Sequence, residues 1–169
     1  MELEQAIRTR RTHKAYGAQP LSTDELEELL ELARWAPNHH LTNPWRFRVL
    51  GSHALSQLQE ASEPDAAGKL TRAPTLVAAS AALSGDPVQD EEDLHAVACA
   101  VYAVLLGAHA RGLASYWRTP AVLRTDAGRT AVGLEGDERV LGLIHLGWPR
   151  EAKRPPERWP VERYVTYLP

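Results

Sequence analysis

Residues 91–111 constrain the fold of this chain more than any other stretch. Leu94, Val97, Ala98, Val101, Tyr102, Leu105 and Ala108 recur at helical spacing, so one long helix carries a wide apolar face. Ala96, Ala98, Ala100 and Ala103 are small, which lets neighbouring elements approach its axis closely. Gly112 is the residue type that ends such a helix. His95, Tyr102 and Gly107 interrupt the apolar run, and the run over 94–108 is too short to span a bilayer. Cys99, the single cysteine, falls inside the helix and reads as a small buried core residue.

The elements around that helix can be read on both sides. Residues 2–10 form a short helix with Leu3, Ala6 and Ile7 on one face. Ser22 and Glu25 have capping-box spacing, and Leu26, Leu29, Leu30 and Ala33 follow at i, i+3, i+4 and i+7. Pro37 ends that helix by pushing its predecessor out of the helical region, which leaves Trp35 at the C-terminal end. Trp45 to Val49 alternates as a half-buried strand does. A short helix over 53–61 is followed by a polar stretch, Ala61 to Arg72, that reads as a loop or partly mobile lid. Thr75 to Ala79 is a second strand, Asp86 to Asp93 a solvated acidic turn and helix start, and Leu113 to Trp117 a third strand. Residues 121–132 read as a helix. Val140 to Leu146 is almost wholly apolar, the mark of a central strand. Irregular alternation of helices and strands predicts an α+β or mixed three-layer domain.

One domain spanning residues 1–169 accommodates all of this, and the chain is long enough for a sizeable core. The formal net charge of −3 argues against a surface built to coat nucleic acid or an anionic membrane. With one cysteine there is no intrachain disulfide and no cysteine-based metal site. The first residues lack a basic and an apolar region, so no secretory leader is read there and a cytoplasmic location is expected. The tail, residues 148–169, carries Trp159, Tyr164 and Tyr167. One small domain has little surface to bury those rings, so the tail is expected to wrap a partner subunit.

Two segments stand out as chemistry. Arg10-Arg11-Thr12-His13-Lys14 packs four potentially cationic side chains and a hydroxyl into five residues. Arginine forks and a hydroxyl suit a phosphate, although a solvated basic helix end has the same composition. The second is the polar loop that follows the next helix and carries His39, His40 and Asn43. Adjacent histidines point apart, and no other side chain falls at metal-ligand spacing, so a shared metal is not expected. His39 reads as a ligand contact or a surface residue; Asn43 could bond a heterocycle or cap the strand. Trp117, Arg118 and Thr119 stand at the C-terminal end of a strand, where ligands often sit, although an ordinary strand end with a core tryptophan fits too. A Gly-rich dinucleotide fingerprint, a Walker loop and a nucleophile elbow are all missing.

Arg10-Arg11-Thr12-x-Lys14, followed by Ala36-Pro37 and then Asn43-Pro44-Trp45-x-Phe47, resembles the flavin-dependent nitroreductase family. The likeness extends through Gly112 to Arg118 and through Leu143-Ile144-His145-Leu146-Gly147-Trp148-Pro149, and is strongest to its compact bacterial NAD(P)H nitroreductase branch. Leu41, Asn43 and Thr12 depart from the commonest residues at their positions. The resemblance implies a mostly antiparallel central sheet flanked by helices, in an intertwined homodimer with FMN at the subunit interface. Arg10 and Thr12 would hold the phosphate and ribityl end, with Arg11 beside them, Lys14 near, and Lys153 or Arg154 reaching in from the tail. Trp35 and His39 would approach from the other subunit. Asn43 would face the heterocycle, and Trp117, Arg118 and Thr119 would line the cleft, Arg118 beside the pyrimidine edge. The implied activity is hydride transfer from NAD(P)H through the flavin to a nitroaromatic, a quinone or a similar small acceptor. The cofactor would carry the redox step, so no dedicated catalytic side chain is assigned. A flavin-binding or storage protein with little turnover, or another flavin chemistry on the same scaffold, are the competing readings.

Overall fold

The long helix becomes the spine of a three-layer arrangement. A computed structural model describes residues 1–169. In chain order the elements are α1 (Leu3–Thr9), α2 (Thr23–Glu31), β1 (Trp45–Val49), α3 (Ser52–Glu60), α4 (Pro64–Leu70), β2 (Thr75–Ala82), α5 (Pro87–Ala110), β3 (Ala114–Arg118), α6 (Asp126–Ala131) and β4 (Glu138–Gly147). Single 3-10 turns lie at Leu32–Trp35, His39–Leu41, Ala121–Arg124 and Val161–Arg163. The four strands form one sheet in the order β1-β2-β4-β3, and every neighbouring pair is antiparallel. The apolar β4 is interior, as its sequence predicts.

Alternation along the strands sorts side chains onto two faces. Val77, Ala79, Ala81, Ile144 and Leu146 face α5 and α2, where Val97, Ala100, Val101, Val104, Leu26 and Leu29 meet them. Ala78 and Leu143 face the other way, onto Leu58 of α3, Leu70 of α4 and Val122, Leu123 and Ala131 around α6. The fold is therefore α+β, with helices on both faces of an antiparallel sheet. Close approach to α5 depends on a missing side chain. A Cβ on Gly107 would stand 2.2 Å from Leu32 Cδ1, so that residue lets the end of α2 lie against the spine.

The capping box at Ser22 and Glu25 forms as expected: each side chain takes up the other residue's backbone N–H. Several elements differ from the sequence reading. The stretch 61–72 is no loop, since Pro64 fits the first helical position and α4 runs from there to Leu70. The helix expected over 121–132 is broken at Thr125, whose hydroxyl accepts the Gly128 N–H and starts α6 afresh. The spine starts at Pro87, with the Asp86 side chain accepting N–H groups of Val88 and Gln89. Cys99 is exposed because it lies on the outward stripe of α5. In α1 only Ala6 is buried, while Leu3 and Ile7 face outward. By length and hydropathy α5 could cross a bilayer, but half of its most apolar window is buried inside the fold.

Candidate functional site

The segment 10–14 runs along the free edge of β3. Thr12 forms a parallel bridge with Ser115, and the His13 N–H donates to the Ser115 carbonyl at 3.1 Å. The start of the tail is tied beside it. Tyr16 bridges Pro149, the Gly17 N–H donates to the Trp148 carbonyl at 2.8 Å, and Tyr16 Oη donates to the His13 carbonyl at 2.7 Å. Between this segment, the end of α5 and the tail lies a cavity of about 430 Å³, lined by Thr9, Arg11, His13, His109, Arg150 and Lys153 among others. Glu151 is the one carboxylate in the lining, and it pairs with Lys153 at 3.4 Å.

The electrostatics of this cavity are lopsided. Arg11 donates to the carbonyls of Arg10, Arg8 and Arg154, so its guanidinium closes the end of α1 and tethers the tail. Burial, then Arg158 and Arg10, push its pKa down. His13 is 8% exposed, and its Nδ1 has no hydrogen-bond partner. Burial and then Lys153 and His109 hold it below the usual histidine range. His109 is lowered too, by burial and then by Arg10 and Arg11. Thr9 Oγ1 gives its proton to the Gln5 carbonyl at 2.6 Å, so the 2.8 Å contact with His109 Nε2 requires the ring nitrogen to donate. Burial first, and then the surplus of positive charge, thus disfavour protonation of both imidazoles. An anion bound among these groups would relieve that repulsion and offer His13 Nδ1 a partner.

From Ser115 the edge of β3 leads about 13 Å to Thr119, at about 3.3 Å per residue. Trp117 is half-buried against the core, and its indole N–H donates to the Leu141 carbonyl at 3.1 Å. Arg118 is half-buried, and its charge helps to depress the pKa of His145. Thr119, Thr12 and Lys14 are exposed.

The remaining candidates sit elsewhere. Trp35 is 77% exposed, with the Arg34 guanidinium 5.8 Å from its ring centre. His39 Nδ1 meets Glu92 Oε2 at 2.7 Å. The two histidines do not point apart: a left-handed φ of 56° at His40 stacks their rings 3.8 Å apart. Asn43 has φ 50° and is spent within its own loop, its N–H donating to Asn38 Oδ1 at 2.7 Å and its amide to the Leu41 carbonyl at 2.6 Å. Asp93, expected in a solvated turn, is buried and accepts from Thr42 at 2.5 Å and from Gln89. These contacts pin the His39 loop to the first turns of α5, whereas the basic cavity meets its last turn. Glu92 and His109 are separated by about 25 Å of rigid helix, at 1.5 Å per residue. Within one subunit the two groups of candidates do not meet.

His13 and His109 gained their place from the fold. His13 is visible in the basic cluster, but nothing local to residue 109 says that the end of α5 will abut α1.

Comparison with known proteins agrees with this fold. The sequence model of the "Nitroreductase family" matches residues 7–148. Over 182 residues the chain is 25% identical to the Bacillus subtilis protein named "Putative NAD(P)H nitroreductase YfhC", covering 98% of this chain and 94% of that one. A nitroreductase-like family protein from Bacillus cereus superposes with a TM-score of 0.89 at 22% identity, covering 99% and 96% of the two chains. A Desulfovibrio desulfuricans nitroreductase-type structure in complex with FMN superposes with a TM-score of 0.82 at 23% identity, covering 100% and 98%. With the family's sequence pattern running through nearly the whole fold, this chain is a member of the nitroreductase family of oxidoreductases.

Proposed function

We propose that residues 1–169 form one FMN-binding domain that works as a homodimer in the cytoplasm, passing hydride from NAD(P)H to a nitroaromatic, a quinone or a similar small acceptor. The observation that carries this reading is the basic group of Arg10, Arg11 and Lys153 at the head of the β3 edge, with the buried imidazole of His13 and that of His109 beside it and Glu151 the one carboxylate among them. It suits a phosphate dianion, and the B. subtilis relative and the FMN-bound D. desulfuricans structure carry the corresponding names.

In this reading Arg10, Thr12 and Lys153 hold the phosphate. Arg11 keeps α1 and the tail in place around it, and Lys14 adds a nearby charge. FMN, when bound, supplies the atom that accepts and returns the hydride. The chain's own part is to position the ring and keep water away. Trp117 gives a fixed wall because its N–H is already bonded. Arg118 and Thr119 offer donors at the far end.

Trp35, His39 and Asn43 complete the cleft from across a dimer interface, since Trp35 is exposed and the His39 loop is held by its own subunit at the other end of α5. The exposed stripe of α5, with Val88, Cys99 and Tyr102, together with Trp159, Tyr164 and Tyr167 of the tail, supplies apolar surface for that contact.

A visible spectrum of the purified protein, before and after anaerobic NADH or NADPH, tests the activity. Flavin bands that bleach on addition are expected. Bands that persist would move the reading to a flavin-storage protein, and absence of bands after incubation with FMN would refute it.

A further inference from the structure

A second cavity, of about 330 Å³, opens beyond the end of β3. Thr119, Arg124, Arg129, Arg139, Val140 and Gly142 are among its lining residues. It contains three arginines and no carboxylate. Arg124 and Arg139 have no ion-pair or hydrogen-bond partner. Arg129 makes one bond, to the Glu138 carbonyl at 3.3 Å. Arg139 also borders a hollow that holds Asp90 and Glu91, but forms an ion pair with neither, and on a chain of net charge −3 three guanidinium groups without an ion pair around one hollow are a specific local field. Glu138, next to Arg139, is already occupied by Arg48 and Ser80, and neither Asp126 nor Asp137 forms an ion pair with these arginines.

The floor of this hollow is backbone. Opposite Ala79 and Ser80 the strand β4 slips register, and Gly142 takes φ +142°. A Cβ there would lie 2.4 Å from the Arg118 carbonyl oxygen and 2.9 Å from Trp117 Nε1. The glycine therefore draws the Trp117-Arg118-Thr119 strand end tightly over β4 and leaves an open surface beside Thr119. Planar guanidinium forks around a shallow backbone floor suit a carboxylate or phosphate, to which they can bond in pairs.

We infer that this arginine hollow is a subsite for the anionic group of the small molecule that reacts at the neighbouring cleft, so that the protein selects substrates bearing a carboxylate or phosphate. The inference rests on the placement of the cleft at Trp117–Thr119 proposed above. Two sources share this chemistry: a carboxylated aromatic acceptor, and the phosphates of the nicotinamide donor. Thr119 lines this hollow and directly follows Arg118, the last residue of β3, so an anionic substituent held by Arg124 and Arg139 would leave the rest of the molecule directed toward the end of β3.

The test uses Arg124→Ala, Arg139→Ala and the double variant, together with Arg124→Lys and Arg139→Lys. Both arginines are exposed, and their truncation leaves the Arg129 bond and the core intact. Binding of 4-nitrobenzoate and of 2′,5′-ADP is measured by calorimetry on the full-length protein, which needs no turnover. KM is then compared within two matched pairs, 4-nitrobenzoate against nitrobenzene and NADPH against NADH. Each arginine removed is expected to weaken the anionic member of one pair about tenfold, with the uncharged nitrobenzene or the less charged NADH changing less than twofold. The lysine variants should recover part of the loss. Selective loss in the acceptor pair assigns the hollow to the acceptor; selective loss in the nicotinamide pair assigns it to the donor. Equal effects on both members of each pair, or unchanged calorimetric binding in the double variant, overturn the inference. A wild-type protein that takes up no flavin, with arginine variants that still lose anion binding relative to it, would refute the flavin reading while leaving the hollow as an anion site.

Discussion

Acidification should destabilise this protein through His145 before any carboxylate matters. His145 sits on the interior strand β4, 1% exposed, with Nε2 unpartnered and its ring 5.8 Å from that of Tyr116. Burial, then the charges of Arg118 and Arg72, push its pKa down from 6.5 to about 4. The imidazole is therefore neutral in the folded chain over a range in which the unfolded chain binds a proton. Where the unfolded state holds more protons, stability rises with pH, so it falls as pH drops from about 6.5 toward 4. A shift of about 2.5 units at about 1.36 kcal/mol per unit gives a loss on the order of 3 kcal/mol across that window. Urea unfolding followed by tryptophan fluorescence, at fixed protein concentration and at steps from pH 7.5 to 4.5, measures it. His13 and His109 add losses of the same sign, so the comparison that isolates His145 is with His145→Phe, which keeps a ring and cannot titrate. The variant should be flatter than wild type by up to about 1.36 kcal/mol per pH unit below pH 6.5. Parallel pH profiles for the two proteins would refute the argument.

Three other perturbations follow from particular contacts. Gly142→Ala puts a Cβ against the Arg118 carbonyl at a φ that side chains rarely adopt, and should cost about 2 kcal/mol or more by thermal or urea unfolding; a neutral effect would mean the bulge is not tight. Burial raises the pKa of Glu138, but hydrogen bonds from Arg48 and Ser80 outweigh it and hold the carboxyl below its usual range. Glu138→Gln should therefore cost about 2 kcal/mol at pH 7 and progressively less as pH falls through the carboxylate range. Tyr102→Glu places a charge on the outward stripe of α5, and light scattering should then report one chain where the wild type gives twice 18.7 kDa; unchanged mass would move the interface elsewhere.

The sequence makes legible what repeats or caps. The spine helix, the capping box, the interior strand and the basic segment before Lys14 all announce themselves by spacing. It hides what depends on distant neighbours. The polar residues of 61–72 lack periodicity, yet Pro64 at a first helical turn and Leu70 under the sheet suffice for α4. Cys99 reads as core because its neighbours are apolar; only the choice of which α5 face meets the sheet exposes it. His109 belongs to the candidate site because α5 ends where α1 ends, a coincidence of tertiary packing.

The same distinction bears on why two clear motifs do not form one site. The Arg10–Lys14 segment is fixed to the β3 edge, at the end of α5 where the helix stops. The His39 loop is fixed to the first turns of α5 by Glu92 and Asp93. A rigid helix cannot fold back to join them, and neither segment has slack: the His39 loop is bonded to α5 directly, and the basic segment is bonded to Ser115 and follows Thr9, which meets His109. Two copies related by a two-fold axis perpendicular to α5 at its exposed stripe would run the helices antiparallel. That arrangement sets the first turns of one helix beside the last turns of the other, and so brings each His39 loop toward the other copy's basic cavity. The length of the spine, read from its apolar spacing, thus separates the two proposed half-sites in one chain and would give the proposed dimer its geometric reason.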